Sequence, residues 1–138
     1  MRLILPMPPS VNNQYITVNG RRALSKEAAR YKRTVRDQVR REIADGRISE
    51  AEVARLTTGY LSLFIDFYFE TPLRRDLDGG LKITQDVLCE TLKVNDNRVV
   101  DIHLVKRIDP LNPRIEVELE VVDHWEFDQQ YVVLGTED

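Results

Sequence analysis

Two acidic residues separated by a single position could bind a divalent cation. Asp76 and Asp78 lie in the stretch RRDLDGGLK, residues 74–82. In an extended chain, side chains two positions apart point the same way, so we expect these carboxylates to converge. Hard cations such as Mg²⁺ take oxygen ligands, commonly one or two carboxylates, with waters and a substrate phosphate completing the shell. The pattern therefore predicts a magnesium site, although acids that precede a helix are more often caps or surface groups.

Nearby charged residues could complete this site. Lys82 lies one helical turn after Asp78, where its ammonium group could stabilise the charge that develops on a phosphate in a transition state. Asp96, in the polar turn at residues 95–98, is the predicted third acid. Asp86 is the alternative third ligand, and a helical salt bridge to Lys82 would instead give it a structural role.

Basic residues cluster between positions 21 and 41. This segment holds nine lysines and arginines against two acids, although the whole chain has a net charge of −3. A block this basic is a candidate contact for a polyanion such as DNA, whereas a solvated helix face is the alternative. Arginine can also bind phosphate through two parallel hydrogen bonds. The predicted DNA-binding residues are Arg30, Arg33, Arg36, Arg40, Arg74 and Arg75.

The acidic residues at the C-terminus account for the negative net charge. Residues 123–138 hold five acids and no lysine or arginine, so residues 1–122 sum to +2. We therefore expect one domain over residues 1–122, followed by an acidic C-terminal tail over residues 123–138. The single Cys89 excludes an internal disulfide and fits a reducing compartment. No signal-peptide pattern or membrane-spanning stretch is present in the sequence, which predicts a cytoplasmic protein.

Hydrophobic periodicity predicts an α+β domain. A short strand around Leu3 and Leu5 precedes residues 6–22, which are expected to be an ordered loop rich in proline and turn residues. Ser25 is a good N-cap, and apolar residues then recur every three or four positions to about Ile43, which predicts an amphipathic helix. Further predicted elements are a strand at 60–70, a helix at 81–92 and strands at 99–108 and 114–122. The order β-α-β-α-β-β predicts helices packed on a mixed sheet.

Three separated motifs resemble one known family. Residues 5–15, LPMPPSVNNQY, look like the N-terminal signature of the RusA family of Holliday-junction resolvases. Residues 74–78, RRDLD, with Lys82 three residues after Gly79, are similar to a catalytic segment of that family. Asn95 and Asp96, ahead of VVD at residues 99–101, are similar to another. The resemblance extends from about residue 3 to residue 122. Gly79 departs from it, because the family commonly has asparagine there.

The resemblance implies a RusA-like fold and a specific activity. It implies a homodimeric, magnesium-dependent endodeoxyribonuclease that resolves four-way DNA junctions by paired phosphodiester hydrolysis in recombination and repair, with Mn²⁺ as a possible substitute. Carried over by position, the metal ligands are Asp76, Asp78 and Asp96, and Lys82 completes the catalytic set. Arg75 is a candidate DNA contact.

Two other functions stay open at this point. The first is a RusA-like module that binds junctions but has lost catalysis through Gly79. The second is a small interaction protein that acts through its acidic tail, residues 123–138. Binding of junction DNA without cleavage would indicate the first, and loss of partner binding on deletion of the tail would indicate the second.

Overall fold

A computed structural model describes residues 1–73, 75–132 and 134. Within this part of the chain the strands are β1 (Arg2–Leu5), β2 (Tyr15–Val18), β3 (Arg21–Leu24), β4 (Leu61–Phe69), β5 (Val99–Ile108) and β6 (Arg114–Val121). The helices are α1 (Lys26–Ala44), α2 (Glu50–Leu56) and α3 (Leu81–Leu92), and single 3₁₀ turns occur at Val11–Asn13, Leu77–Gly80 and Asp96–Arg98. No helix among the described residues is long and apolar enough to cross a bilayer.

The central sheet is mixed and has the order β1-β6-β4-β5. β4 pairs in parallel with β5 and antiparallel with β6, which in turn pairs antiparallel with β1. The parallel pair requires a crossover, which α3 supplies. Alternate residues of β4, from Leu61 to Phe69, are buried and form the centre of the core with the apolar faces of the helices. The α+β class with helices on a mixed sheet is confirmed.

Helix α1 begins and ends as the sequence predicts. The amide of Ala28, in the first turn, has no acceptor within the helix. The hydroxyl oxygen of Ser25 accepts its hydrogen bond at 3.0 Å. The residues that recur at helical spacing, from Ala28 to Val39, are buried. Gly46 follows the C-cap with a φ of +78°, a left-handed conformation that glycine adopts without steric cost.

The expectation of an ordered loop over residues 6–22 is wrong for its second half. β2 and β3 form an antiparallel hairpin there, apart from the main sheet. Asn19 and Gly20 have φ values of 52° and 75°, as a two-residue type I′ turn requires. Asn-Gly after the β-branched run Ile16–Val18 is a strong short-range hairpin signal, so the sequence did contain the information.

A short helix was also missing from the predicted order. α2 begins after Ser49, whose hydroxyl oxygen accepts a hydrogen bond from the amide of Glu52 at 3.1 Å. Ser followed three positions later by Glu is the sequence pattern of a capping box. Leu56 is the buried residue at its C-terminal end. α2 has only seven residues, about two helical turns, so too few hydrophobic residues recur at helical spacing to predict the helix from the sequence.

The start of α3 packs closely against the N-terminal segment because of Gly80. A Cβ atom at Gly80 would lie 2.5 Å from Cγ of Pro8, closer than such atoms approach, and 3.0 Å from Cε1 of Phe67, a tight contact. The adjacent Gly79 has room, since its nearest contact would be the backbone nitrogen of Val11 at 4.0 Å. Gly80 therefore fixes the distance between the N-terminal segment and the helix start, and Gly79 does not.

This difference predicts opposite outcomes for two adjacent substitutions. We expect Gly80→Ala to lower the free energy of unfolding by about 1–3 kcal/mol, because the added methyl overpacks a closely packed contact. Gly79→Ala, the matched control, should change it by less than about 1 kcal/mol. Urea titration monitored by circular dichroism measures both. Equal stability of the two variants would contradict the close packing at Gly80.

Candidate active site

The proline-rich segment, residues 6–14, is tied to helix α1 at both ends. The Tyr31 hydroxyl donates to the carbonyl of Pro6 at 2.8 Å. The Ser25 hydroxyl donates to the carbonyl of Asn13 at 2.5 Å, in addition to capping the helix. Because prolines lack an amide hydrogen, this segment depends on such side-chain donors for its carbonyls.

Gln14 joins the proline-rich segment to the turn that carries the acidic pair. Its side chain is only 1% exposed, and its amide nitrogen donates to the carbonyls of Pro9 at 2.9 Å and Gly79 at 2.7 Å. Arg75 adds a second link, since its guanidinium donates to the carbonyl of Pro8 at 2.8 Å. The sequence analysis did not assign a role to Gln14. The N-terminal motif therefore positions residues 75–80 directly.

Asp76 and Asp78 differ in backbone conformation. Asp76 is extended, with φ −76° and ψ 146°, whereas Asp78 lies inside the 3₁₀ turn Leu77–Gly80. The expectation that both lie in extended chain is therefore wrong, because the 3₁₀ turn begins one residue after Asp76. Both carboxylates are exposed, and within the described residues no ion pair engages either one.

Lys82 lies in the first turn of α3 and pairs with Asp86. Its ammonium nitrogen is 3.2 Å from a carboxylate oxygen of Asp86, one turn along the helix. The hydrogen bond to Asp86 and its charge raise the pKa of Lys82, with smaller contributions from Tyr15 and Asp96. The lysine therefore remains protonated near neutral pH. The predicted salt bridge between Asp86 and Lys82 is present.

Asp96 lies beside the middle of α3. It starts the 3₁₀ turn Asp96–Arg98, where the side-chain oxygen of Asn95 accepts from the amide of Asn97 at 3.1 Å. Burial raises the pKa of the Cys89 thiol to about 11, and the charges of Asp96 and then Asp86 add to this effect. Asp96 therefore contributes to the negative potential around Asp86, and the neutral thiol of Cys89 is chemically inert at neutral pH.

The acidic pair and the Asp96 turn lie on 3₁₀ turns that precede and follow α3. Among the described residues, no three His, Cys, Asp or Glu side chains come together as a metal site. The topology gives the reason. Lys106 donates to the carbonyl of Arg75 at 2.9 Å, so the segment with Asp76 lies near the C-terminal end of β5, whereas the Asp96 turn precedes its first residue, Val99. Val99 and Lys106 are seven positions apart on β5, and seven strand residues span about 23 Å.

The donor chemistry nevertheless fits magnesium. Exposed carboxylate oxygens without ion-pair partners are hard ligands, and Mg²⁺ commonly binds proteins through one or two carboxylates while keeping several waters. Asp76 and Asp78 supply two such groups at the start of a helix. The ammonium group of Lys82 lies in the next turn, where it can neutralise negative charge.

The predicted DNA-binding arginines form an exposed basic face. Arg30, Arg33 and Arg40 are exposed and Arg36 is half-buried, and none forms an ion pair within the described part of the chain. Arg74 lies outside the described residues. The hairpin adds Arg21 and Arg22, which the sequence analysis did not select; the Arg22 guanidinium lies 3.9 Å from the centre of the Tyr15 ring.

A cleft of about 520 Å³ separates the basic helix from the proline-rich segment. Arg30 and Arg75 line it together with Ser10, Asn13 and Glu27. Partial burial lowers the pKa of Arg75, and the nearby carboxylate of Glu27 opposes this effect. The cleft therefore places two guanidinium groups beside the segment that carries Asp76, where a phosphate of a nucleic acid can bind them.

The opposite face of the sheet is acidic. Glu116, Glu118 and Glu120 alternate along β6 on the side away from the core, and Asp66 lies opposite Glu116 on β4. The Glu118 carboxylate accepts a hydrogen bond from the protonated form of Glu120, and this bond and the negative charge of Glu118 raise the pKa of Glu120. Arg107 and Arg114 lie on the same face and pair with Asp66 at 2.9 Å and with Glu116 at 2.8 Å, respectively. This face therefore has less free positive charge than the helix and hairpin side, which is better suited to DNA.

The sequence comparisons agree with this arrangement. The family model described as Endodeoxyribonuclease RusA matches residues 6–120, most of the chain. The curated proteins include no match to the sequence. The matched residues start at Pro6 of the proline-rich segment and include the acidic pair, Lys82 and Asp96. The chain therefore belongs to the RusA endodeoxyribonuclease family.

Proposed function

We propose that this protein resolves four-way DNA junctions by magnesium-dependent phosphodiester hydrolysis in DNA recombination and repair. The observation that carries the proposal is the contact network of Gln14 and Arg75, through which the N-terminal family motif holds the segment with Asp76, Asp78 and Lys82. Family membership over residues 6–120 supports an endodeoxyribonuclease. Because the substrate is DNA, we place the enzyme in the cytoplasm.

Asp76 and Asp78 would hold the divalent ion, with Asp96 as the third carboxylate. When bound, Mg²⁺ or Mn²⁺ polarises the scissile phosphate and lowers the pKa of the attacking water. Lys82 supplies a fixed positive charge that stabilises negative charge developing on the phosphate in the transition state. Its pair with Asp86 raises the pKa of this ammonium group further and directs it along α3.

We propose that the active enzyme is a homodimer. A four-way junction has approximate two-fold symmetry, so two related sites can cut opposing strands. Since Asp76 and Asp96 lie toward opposite ends of β5 in one chain, a second copy offers a route to complete the acidic set. The segment with Asp76 and Asp78 in one protomer would then meet the Asp96 turn of the other.

DNA would lie on the side of the molecule that carries α1 and the hairpin. Arg30 and Arg75 line the cleft beside the acidic pair and would bind phosphates that flank the scissile bond. The arginines that continue along α1 would bind phosphates of the junction arms. Phosphate contacts of this kind carry no base information, so recognition would follow DNA shape. In this proposal residues 1–122 form the nuclease domain, and the acidic tail, residues 123–138, stays away from the DNA.

The first prediction concerns the metal-binding carboxylates. Asp76→Asn should lower magnesium-dependent cleavage of a synthetic four-way junction by at least about a hundredfold, because an amide is a poor substitute for a ligating carboxylate. Junction binding in a gel shift should persist. Asp45→Asn, an exposed acid at the end of α1, is the control and should cut normally. Wild-type protein that binds junctions but never cuts them, with either Mg²⁺ or Mn²⁺, would instead identify an inactive binding module.

The second prediction concerns the basic face. Arg33→Ala should weaken junction binding and reduce the slope of log affinity against log salt by about one, because one phosphate contact is lost. Arg2→Ala removes an equally charged, exposed side chain near the acidic face of the sheet and should change neither quantity. Fluorescence anisotropy at several salt concentrations measures both. An equal loss in the two variants would place the DNA elsewhere.

A further inference from the structure

The turn that carries Asp96 is short and exposed. It consists of the three residues Asp96–Arg98 and follows the exposed Asn95. Its local hydrogen bonds run from the amide of Asn97 to the side chain of Asn95 and from the amide of Arg98 to the carbonyl of Asn95, both at 3.1 Å. Hydrogen-bond geometry in a 3₁₀ turn is poorer than in an α-helix. The position of Asp96 therefore depends on contacts with other segments.

The side chain of Arg98 makes these contacts. Its Nε donates to the carbonyl of Gly59 at 2.9 Å, and a terminal nitrogen donates to the carbonyl of Thr58 at 3.1 Å. Both acceptors lie in the loop between α2 and β4, 39 and 40 positions earlier in the chain. A guanidinium presents its donors in a rigid fork, so two hydrogen bonds fix its direction as well as its distance. Arg98 therefore ties the Asp96 turn to this loop.

The loop that accepts these hydrogen bonds is itself held against the sheet. A Cβ atom at Gly59 would lie 2.7 Å from Cγ1 of Val121, closer than such atoms approach, so the loop backbone packs directly on the end of β6. The amide of Val122 donates to the carbonyl of Tyr60 at 2.9 Å, which continues the pairing between β6 and β4. The carbonyls that Arg98 binds therefore have a defined place beside the sheet.

Aromatic residues that follow β6 extend this contact. The Arg98 guanidinium lies 5.4 Å from the centre of the Tyr60 ring, and the Phe127 ring meets the Tyr60 ring edge to face at 5.4 Å. Trp125 and Tyr131 pack edge to face on Phe127, with ring centres 6.1 Å away in both cases. Edge-to-face pairs and a cation near a ring are both favourable contacts. Phe127 therefore packs on the ring that also contacts Arg98.

We propose that Arg98 is a positioning residue for the Asp96 carboxylate, and that the aromatic segment, residues 125–131, reinforces it by packing on Tyr60. This deepens the proposed function and rests on it, since it takes Asp96 as a ligand of the divalent ion. Residues that orient a metal ligand typically change metal affinity by about ten- to a hundredfold when they are replaced. In this proposal the aromatic segment acts on the active site through Tyr60 and Arg98, without a contact of its own to DNA.

The surroundings of Arg98 distinguish it from the arginines of the basic face. Arg33 is exposed and forms no ion pair within the described part of the chain, so its guanidinium is available to a phosphate. Arg98 is half-buried, and two of its nitrogens donate to the chain's own carbonyls. Loss of Arg98 should therefore change the metal requirement and spare DNA affinity, whereas loss of Arg33 should do the reverse.

A Mn²⁺ titration of junction cleavage tests this contrast. Arg98→Ala should raise the Mn²⁺ concentration for half-maximal cleavage by at least about tenfold, and excess Mn²⁺ should restore most of the rate. Junction affinity, measured without metal by fluorescence anisotropy, should match that of the wild type. Arg98→Lys keeps the charge but loses the fork of donors, so its metal requirement should be intermediate. Arg33→Ala is the matched control and should leave the metal requirement unchanged.

Two measurements on the Asp96 turn do not depend on cleavage. In Arg98→Ala, Mn²⁺ should still broaden the amide signals of residues 76–82, whereas broadening of residues 96–98 should require more Mn²⁺ than in the wild type. Without metal, the amide of residue 98, which donates to the carbonyl of Asn95, should exchange its hydrogen faster in the variant. Circular dichroism checks that the variant is folded, and Arg98→Lys gives the same comparisons with a smaller change.

A second set of variants tests the aromatic segment. Phe127→Ala should raise the Mn²⁺ requirement in the same direction as Arg98→Ala, by a smaller factor. Val132→Ala, at a side chain that is 79% exposed, is the control and should behave as the wild type. Tyr60→Phe keeps the ring and should also match the wild type, whereas Tyr60→Leu should resemble Phe127→Ala. The same Mn²⁺ requirement in Phe127→Ala and Val132→Ala would exclude a role for the aromatic segment.

The outcomes separate this inference from the proposed function. A wild type that cuts junctions and shows Mn²⁺ broadening at residues 96–98, with both unchanged in Arg98→Ala, overturns the inference alone. Weakened junction binding in Arg98→Ala, with a cleavage defect that excess Mn²⁺ does not restore, would identify Arg98 as a DNA contact and also overturn it. A wild type that neither cuts junctions nor binds Mn²⁺ at either segment contradicts the proposed function, and faster exchange at residue 98 in Arg98→Ala would still support the anchoring of the turn.

Discussion

The buried amide of Gln14 is the contact on which the candidate active site depends. It donates to backbone carbonyls on two segments that are far apart in sequence, the proline-rich segment and the turn that carries Asp78. A carbonyl that is buried without a partner costs about 1–3 kcal/mol, so removal of this amide would weaken the attachment of the two segments, which Arg75 also joins. Gly80 allows the close approach that brings the turn within reach of Gln14. The position of the acidic pair is therefore set by residues that do no chemistry.

Charge is distributed so that only one side of the molecule suits DNA. The arginines of α1 and the hairpin lie on one side, and the glutamates of β6 occupy the open face of the sheet. A net charge of −3 is therefore compatible with a nucleic-acid substrate, because the exposed arginines of α1 and the hairpin lie together on one side. Salt screens such fields over about 10 Å, so binding to the basic side should be strongest at low ionic strength.

Periodic elements could be predicted from the sequence, and contacts between distant segments could not. The amphipathic pattern from Ala28 to Val39 and the alternation along β4 are local signals, and both elements have the predicted bounds to within a few residues. The hairpin at Asn19-Gly20 also had a local signal, which the proline-rich context obscured. The role of Gln14 and the separation of Asp76 from Asp96 depend on strand order. No local pattern in the sequence encodes that order.

The central claim is that carboxylates at the start of α3 bind a divalent ion beside an ammonium group. Paramagnetic broadening of backbone amide signals by substoichiometric Mn²⁺ tests this claim most directly, without any measurement of cleavage. We predict that the signals of residues 76–82 and 96–98 broaden first, and that Mg²⁺ in excess restores them. Earlier broadening around Glu116, Glu118 and Glu120, with residues 76–82 unaffected, would contradict the assignment of the site.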